Sequence, residues 1–197
     1  MYDWFVEMKK KISQALSSRP KKRISDKRLT EAAVLVPIFC KGGEYHILFT
    51  QRSNKVPYHK GQISFPGGAR HKSDSGLLET AIRESWEEIG VEPKDVEILG
   101  ELDDTRTTTS NFVISPFVAF IPYPYEFKVS LDEIDEIFDV PISALICEAN
   151  VRQERNVAGN EIVTGCSYEY GGWLIWGATA GILQQFLEIW QSVCGAP

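Results

Sequence analysis

The chain has 197 residues, 43% hydrophobic and 24% charged, enough to bury one real core and too much for a disordered chain or a disulfide-stapled miniprotein. Its formal net charge is −6, but residues 1–29 carry nine Lys/Arg against three Asp/Glu, a net of +6 that leaves the remainder at −12. An acidic body does not suggest a general nucleic-acid binder, and an anionic substrate would need a cation to approach it. No apolar stretch reaches the ~18 residues of a membrane helix, and Met1 to Lys11 lacks the apolar core of a signal peptide. Cys40, Cys147, Cys166 and Cys194 are scattered without a C-x-x-C pair, which suits reduced thiols in a cytoplasmic protein better than a zinc site.

Trp4, Phe5, Met8, Ile12 and Leu16 recur at helical spacing, so Tyr2 to Ser17 is predicted as an amphipathic helix, ended by Pro20 and followed by a basic linker. Residues 1–29 are expected to be an appendage that touches an anionic surface or the acidic body, and the domain proper is expected over 30–197. Ala32 to Phe39 and Tyr45 to Arg52 are predicted strands joined through Lys41-Gly42-Gly43-Glu44. Gln62 to Phe65 is a short strand leading into Pro66-Gly67-Gly68. Leu78, Ile82, Trp86 and Ile89 mark a helix, with Asp74 or Ser75 as its cap and Gly90 just past its end. Further strands are predicted at Val96–Leu102, Val113–Ile121, Ile137–Val140, Val151–Asn156 and Ile162–Tyr168, the last pair turned by Ala158-Gly159-Asn160. Ile175 to Trp190 is predicted as a closing helix. Strands in the middle bracketed by helices give an α+β class.

The chemistry concentrates in Arg83-Glu84-Ser85-Trp86-Glu87-Glu88-Ile89-Gly90. At about 100° per residue, Leu78, Ile82, Ser85, Trp86 and Ile89 face one side of the helix and Glu84, Glu87 and Glu88 the other. On spacing alone, a solvated acidic face and a cation site both fit. In a cleft, each pair of carboxylates about 6 Å apart would repel by ~3 kcal/mol at an effective dielectric of ~20. A divalent cation removes that repulsion, and carboxylates without histidine or cysteine suit the hard ions Mg²⁺ or Mn²⁺.

Gly67-Gly68, a loop, and Arg83-Glu84-Ser85-x-Glu87-Glu88-x-Gly90-Val91 together resemble the Nudix box. Ser85 departs from the apolar preference at its position. The sixth residue after Gly68 is Asp74 rather than Glu, and Arg83 follows nine residues later, one more than in the general box. Upstream, Leu48-Phe49-Thr50-Gln51-Arg52-Ser53, Gly61 and Phe65-Pro66-Gly67-Gly68 resemble the signature of the coenzyme A pyrophosphatase branch, with Phe49 for Leu and Pro57 for the second Arg. Lys55, His59 and Lys60 lie near enough to supply the cation that Pro57 lacks. Segments Glu136–Ile142 and Ile175–Ala180 are similar to later parts of that branch.

The resemblance implies an α/β/α sandwich around a mixed sheet and hydrolysis of a nucleoside diphosphate linked to another moiety. It implies Mg²⁺ or Mn²⁺ held by Glu84 and Glu88 with Glu87 completing the shell, Arg83 orienting a carboxylate, Arg52 meeting a phosphate, and Gly67 and Gly68 letting the backbone approach the substrate. The general base is left open among the box glutamates, Glu133 and Glu136. A non-catalytic nucleotide-binding module would be expected to lose box carboxylates, and all three remain. The expected partner is a nucleotide-containing small molecule, with no nucleic acid, no membrane and a homodimer left open. Tyr168, Tyr170 and Trp173 are read as core aromatics before adenine-stacking ones.

Overall fold

The structure is a computed structural model and describes residues 2–56, 59–107, 110–158 and 161–194. Pro57 and the turn residues Gly159 and Asn160 lie outside them. The elements run α1 (Tyr2–Ser18), β1 (Thr30–Lys41), β2 (Glu44–Arg52), β3 (Ile63–Ser64), β4 (Gly67–Ala69), α2 (Leu77–Ile89), β5 (Glu97–Glu101), β6 (Thr105–Arg106), β7 (Phe112–Phe120), β8 (Ile134–Pro141), α3 (Ile142–Leu145), β9 (Val151–Ala158), β10 (Glu161–Tyr170), β11 (Trp173–Ile175) and α4 (Gly177–Cys194). Two 3-10 turns, Pro93–Asp95 and Glu148–Asn150, join the larger elements.

β1 and β7 pair in parallel from Thr30↔Phe112 to Ile38↔Phe120, and β5 and β2 flank them antiparallel, so the main sheet is mixed. β2 stays beside β1 only from Ile38↔Ile47 to Lys41↔Glu44 and then leaves it. The wedge between them is filled by β4 against Ala32–Val34 of β1 and β3 against Thr50–Gln51 of β2. Gly67 makes this fit, because a Cβ there would lie 2.3 Å from the Ala33 carbonyl oxygen. The splay therefore carries the two glycines into the middle of the sheet.

Each face of the sheet is covered by helix. On one, Ala81 of α2 packs with Ala33, Leu35, Phe117 and Ala119, while Ile89 packs with Phe39, Leu48 and Ile121. On the other, Met8, Ile12 and Leu16 of α1 and Leu183, Phe186 and Trp190 of α4 share a core with Val36, Ile38, Tyr45 and Ile47. The result is an α/β/α sandwich with a small antiparallel sheet, β9–β11, beside it.

Several expectations change. The N-terminal helix is no appendage, since Met8, Ile12 and Leu16 are buried in the main core. Its linker does meet the acidic body: Lys21 Nζ lies 2.7 Å from Glu101 and 3.0 Å from Asp104, and Arg19 pairs with Asp103. Second, α2 begins after Gly76, and Asp74 and Ser75 do not cap it. Third, Leu78 and Trp86 of α2 are exposed while Glu88 is buried with Ser85 and Ile89, so the helix is rolled to bring Glu88 inward and to leave Leu78, Trp86 and Glu87 outward. The closing helix starts at Gly177, with β11 just before it.

Candidate active site

The roll of α2 follows from small residues and one ionic clamp. Ala81 and Ser85 are fully buried, so the helix lies close against the sheet, and the Ser85 hydroxyl is satisfied by the Ala81 carbonyl at 2.7 Å. Asp74 is buried and receives Arg83 through both Nε and Nη2 at 3.0 Å, with the His71 N–H at 2.9 Å and the Thr80 hydroxyl at 2.8 Å. Arg83 holds its carboxyl well below the usual range despite the burial. The other arm of Arg83 donates from Nη1 to Glu84 at 2.8 Å and Glu87 at 2.9 Å. A bidentate guanidinium–carboxylate fork fixes geometry as well as charge, so Asp74 sets Arg83 and Arg83 sets the two glutamates.

Glu88 enters the wedge from the helix. It is 1% exposed, and its Oε2 accepts the Gly67 N–H at 3.0 Å. Arg52, at the end of β2, reaches its other oxygen from Nη1 at 3.5 Å. Burial pushes the Glu88 carboxyl up to about 8, with Glu84 and Glu133 adding to the push and the Gly67 N–H and Arg52 opposing it. Burial also raises Glu84 against the pull of Arg83. The Glu84 carboxylate lies directly against Gly68, where a Cβ would come within 2.5 Å of its carboxyl carbon. The structure thus brings together Arg52, Gly67, Gly68, Arg83, Glu84 and Glu88, with Glu87 attached through Arg83. Glu133 belongs to a segment tied to the end of α2 by Lys128 N–H to the Ile89 carbonyl and Ser130 N–H to the Glu88 carbonyl. Glu136 stands on β8 opposite Gln51.

Among the described residues no three His, Cys, Asp or Glu groups converge as a ready-made metal cage. The donor chemistry nevertheless fits a hard divalent ion: oxygen ligands only, and a buried carboxylate whose negative charge is under-compensated. Mg²⁺ in particular keeps several waters and takes one or two carboxylates, with substrate phosphates supplying the rest.

A cleft of about 310 Å³ opens on the α4 side of the wedge, with Arg52, Gly67 and Gly68 in its wall and Phe65, Phe112 and Trp176 among its lining. The Arg52 Nε is buried without a hydrogen-bond partner among the described residues. A larger groove of about 720 Å³ lies between the basic linker and His71–Lys72; no box glutamate lines either space, but only the smaller cleft contains Arg52, Gly67 and Gly68, the residues that touch Glu84 and Glu88. The three aromatics expected in the core are so placed: Tyr168 is buried, Trp173 stacks on Phe138 at 4.2 Å, and Tyr170 packs against the main core. Trp176 is assigned no role by the sequence, although it falls in the segment Ile175–Ala180 that resembles a later part of the branch and stands immediately before a helix-starting glycine. No helix among the described residues is long and apolar enough to cross a membrane.

Comparison with known proteins agrees with this arrangement. The NUDIX domain family model matches residues 29–156. An uncharacterized Nudix hydrolase, NudL, of Klebsiella pneumoniae is 33% identical over 173 residues, covering 87% of this chain and 88% of its own. NudL of Pectobacterium atrosepticum is 35% identical over 158 residues, covering 79% and 80%. A MutT/nudix family protein from Enterococcus faecalis has a similar fold at a TM-score of 0.57 and 15% identity, covering 91% of this chain and 71% of its own. A box helix rolled to turn its glutamates onto a Gly-Gly strand inside a mixed-sheet sandwich is therefore what the family match leads one to find, and the chain belongs to the Nudix hydrolases, enzymes acting on pyrophosphate bonds.

Proposed function

We propose that this Nudix hydrolase cleaves the pyrophosphate of coenzyme A or acyl-coenzyme A, giving 3′,5′-ADP and (acyl-)4′-phosphopantetheine. The observation that carries the reading is that the upstream signature folds as one unit around the cleft. Arg52 N–H bonds the Gln62 carbonyl at 3.0 Å, Gly61 N–H bonds the Arg52 carbonyl at 3.0 Å, and Leu35 N–H bonds the Pro66 carbonyl at 2.9 Å. Thr50 is tied to Ser64 at 2.9 Å. Those bonds set Arg52 and Gly67-Gly68 on one wall, where the Arg52 guanidinium supplies the positive charge for a phosphate.

Nudix hydrolases use divalent metal ions such as Mg²⁺ or Mn²⁺. In our reading Glu84 and Glu88 would hold the ion and Glu87 would complete the shell directly or through water. When bound, the ion supplies Lewis-acid polarisation of the pyrophosphate oxygens and a more acidic water. Arg83 positions Glu84 and Glu87, and Asp74 positions Arg83. Glu133, whose charge acts on both Glu84 and Glu88, is our choice over Glu136 for the base that takes the water's proton. The four free cysteines support a cytoplasmic setting.

Gly68→Ala tests the site without touching a charge. The new methyl must displace the Glu84 carboxylate, and a displacement of about 1 Å costs on the order of 10²-fold in rate. Steady-state kinetics should show that loss with the thermal midpoint nearly kept; full activity would remove Glu84 from the site. For substrate identity, the protein is given coenzyme A, ADP-ribose, NADH and dinucleoside polyphosphates with Mg²⁺ or Mn²⁺, and products are separated by chromatography. Coenzyme A should yield 3′,5′-ADP fastest. Turnover of ADP-ribose far better than coenzyme A would overturn the substrate while leaving the family in place.

A further inference from the structure

We infer that the Trp176 indole is the surface on which the nucleobase of the substrate stacks, an inference that rests on the nucleotide substrate proposed above. Among the described residues, three aromatic carbocycles line the cleft, Phe65, Phe112 and Trp176, and they differ in what they offer. Phe65 is 2% exposed and stacked against Phe49 at 5.0 Å, and Phe112 is half-buried in β7. Trp176 is 46% exposed although its neighbours Ile175 and Ala180 are fully buried. The indole is thus held out by a rigid mount.

The mount is joined to the reaction site. Gly177, at a φ of +63° that favours glycine, turns the chain from β11 into α4 directly after the indole. The Thr179 hydroxyl then donates to the Ile63 carbonyl at 3.1 Å, tying the start of α4 to β3, which leads in four residues to Gly67. The lining therefore combines a cation and two glycines, suited to phosphates, with an exposed indole whose backbone is tied to the same segment. An exposed tryptophan alone needs no explanation. One combined with that cation and those glycines matches a ligand that is a phosphate chain with a base attached. A base on such a platform gains stacking while the indole loses little freedom, because it has only two side-chain torsions.

The test separates base from phosphate. Dissociation constants for ADP and for inorganic pyrophosphate are measured with Mg²⁺ by calorimetry on the wild type, Trp176→Ala and Trp176→Phe, alongside KM and kcat. Stacking losses on alanine substitution run at about 1–3 kcal/mol per base, so Trp176→Ala should weaken ADP about tenfold or more. Pyrophosphate should bind as before, KM should rise with kcat nearly kept, and Trp176→Phe should recover most of the ADP affinity. Unchanged ADP binding by Trp176→Ala overturns the inference, as does an equal loss for ADP and pyrophosphate. A wild type that binds pyrophosphate and gains nothing from the attached nucleoside overturns the nucleotide reading together with it.

Discussion

Removing residues 1–27 should abolish the cooperative thermal transition. Met8, Ile12 and Leu16 are 3%, 0% and 4% exposed, and they cover the face that holds Val36, Ile38 and Tyr45. Burying such side chains contributes roughly 1.5–3 kcal/mol each, so three amount to about 5–9 kcal/mol against a typical net stability of about 5–15. The contact is close: a Cβ at Gly100 of β5 would lie 2.6 Å from the Leu16 Cβ, and the Tyr45 hydroxyl donates to the Phe5 carbonyl at 2.7 Å. The linker's ion pairs add little beside this, since partly exposed pairs contribute about 0–1 kcal/mol. A milder variant gives a graded result. Ile12→Ala should cost about 2–5 kcal/mol, and at roughly 2–4 °C per kcal/mol for a chain of this size the midpoint should fall by about 5–20 °C. Calorimetry that finds the truncated chain melting cooperatively near the wild-type midpoint would return α1 to the status of an appendage.

The same helix shows what periodicity conveys and what it omits. The stripe Met8-Ile12-Leu16 is legible as an apolar face, but a stripe does not name its cover, and α1 proved to share its core with α4. In α2 the rule was half right. Of the face Leu78, Ile82, Ser85, Trp86 and Ile89, only Ser85 and Ile89 belong to the buried set, which is completed by Thr80, Ala81 and Glu88. Small residues permit the close approach, and the Asp74–Arg83 fork with the Gly67–Glu88 hydrogen bond fixes the roll, none of which a hydropathy pattern weighs. Gly90 was readable because its role is local: at φ 72° its N–H closes on the Trp86 carbonyl, ending the helix. β4 and β6, of three and two residues, are too short to alternate visibly. The site's acids were legible because the motif is contiguous. The use of Asp74 as a clamp rather than a cap was not, because it depends on a guanidinium nine residues away.

Glu84→Gln and Glu88→Gln should each lower hydrolysis by 10²-fold or more while leaving the metal-free fold as stable as before or more so. A factor of 10² is about 2.7 kcal/mol of barrier, a modest demand on a group that holds the metal. The stability half has a definite sign. Glu88 is raised from an ordinary 4.5 to about 8 in the folded chain, so the native state binds the extra proton between those values. Its ionisation therefore takes stability away as pH rises from about 4.5 to about 8. In a chelator, Glu88→Gln should melt above the wild type at pH 8 and level with it near pH 5. A tenfold difference in proton affinity between folded and unfolded chains is about 1.36 kcal/mol, so relief of about 2 kcal/mol would appear as roughly 4–8 °C at the higher pH. Solvated decoration would instead leave both rate and midpoint unmoved.

Glu92 lies just past the motif's glycine, where its backbone is engaged, the N–H donating to the Tyr125 hydroxyl at 2.9 Å and the carbonyl accepting the Asp95 N–H at 2.9 Å, and so its side chain supplies the control. The most direct measurement is the initial rate of hydrolysis by the wild type, Glu84→Gln, Glu88→Gln and Glu92→Gln at limiting and saturating Mg²⁺. Loss of 10²-fold or more in the first two variants at saturating Mg²⁺, with Glu92→Gln at the wild-type rate, is the expected result. Wild-type turnover by both Glu84→Gln and Glu88→Gln would contradict the site.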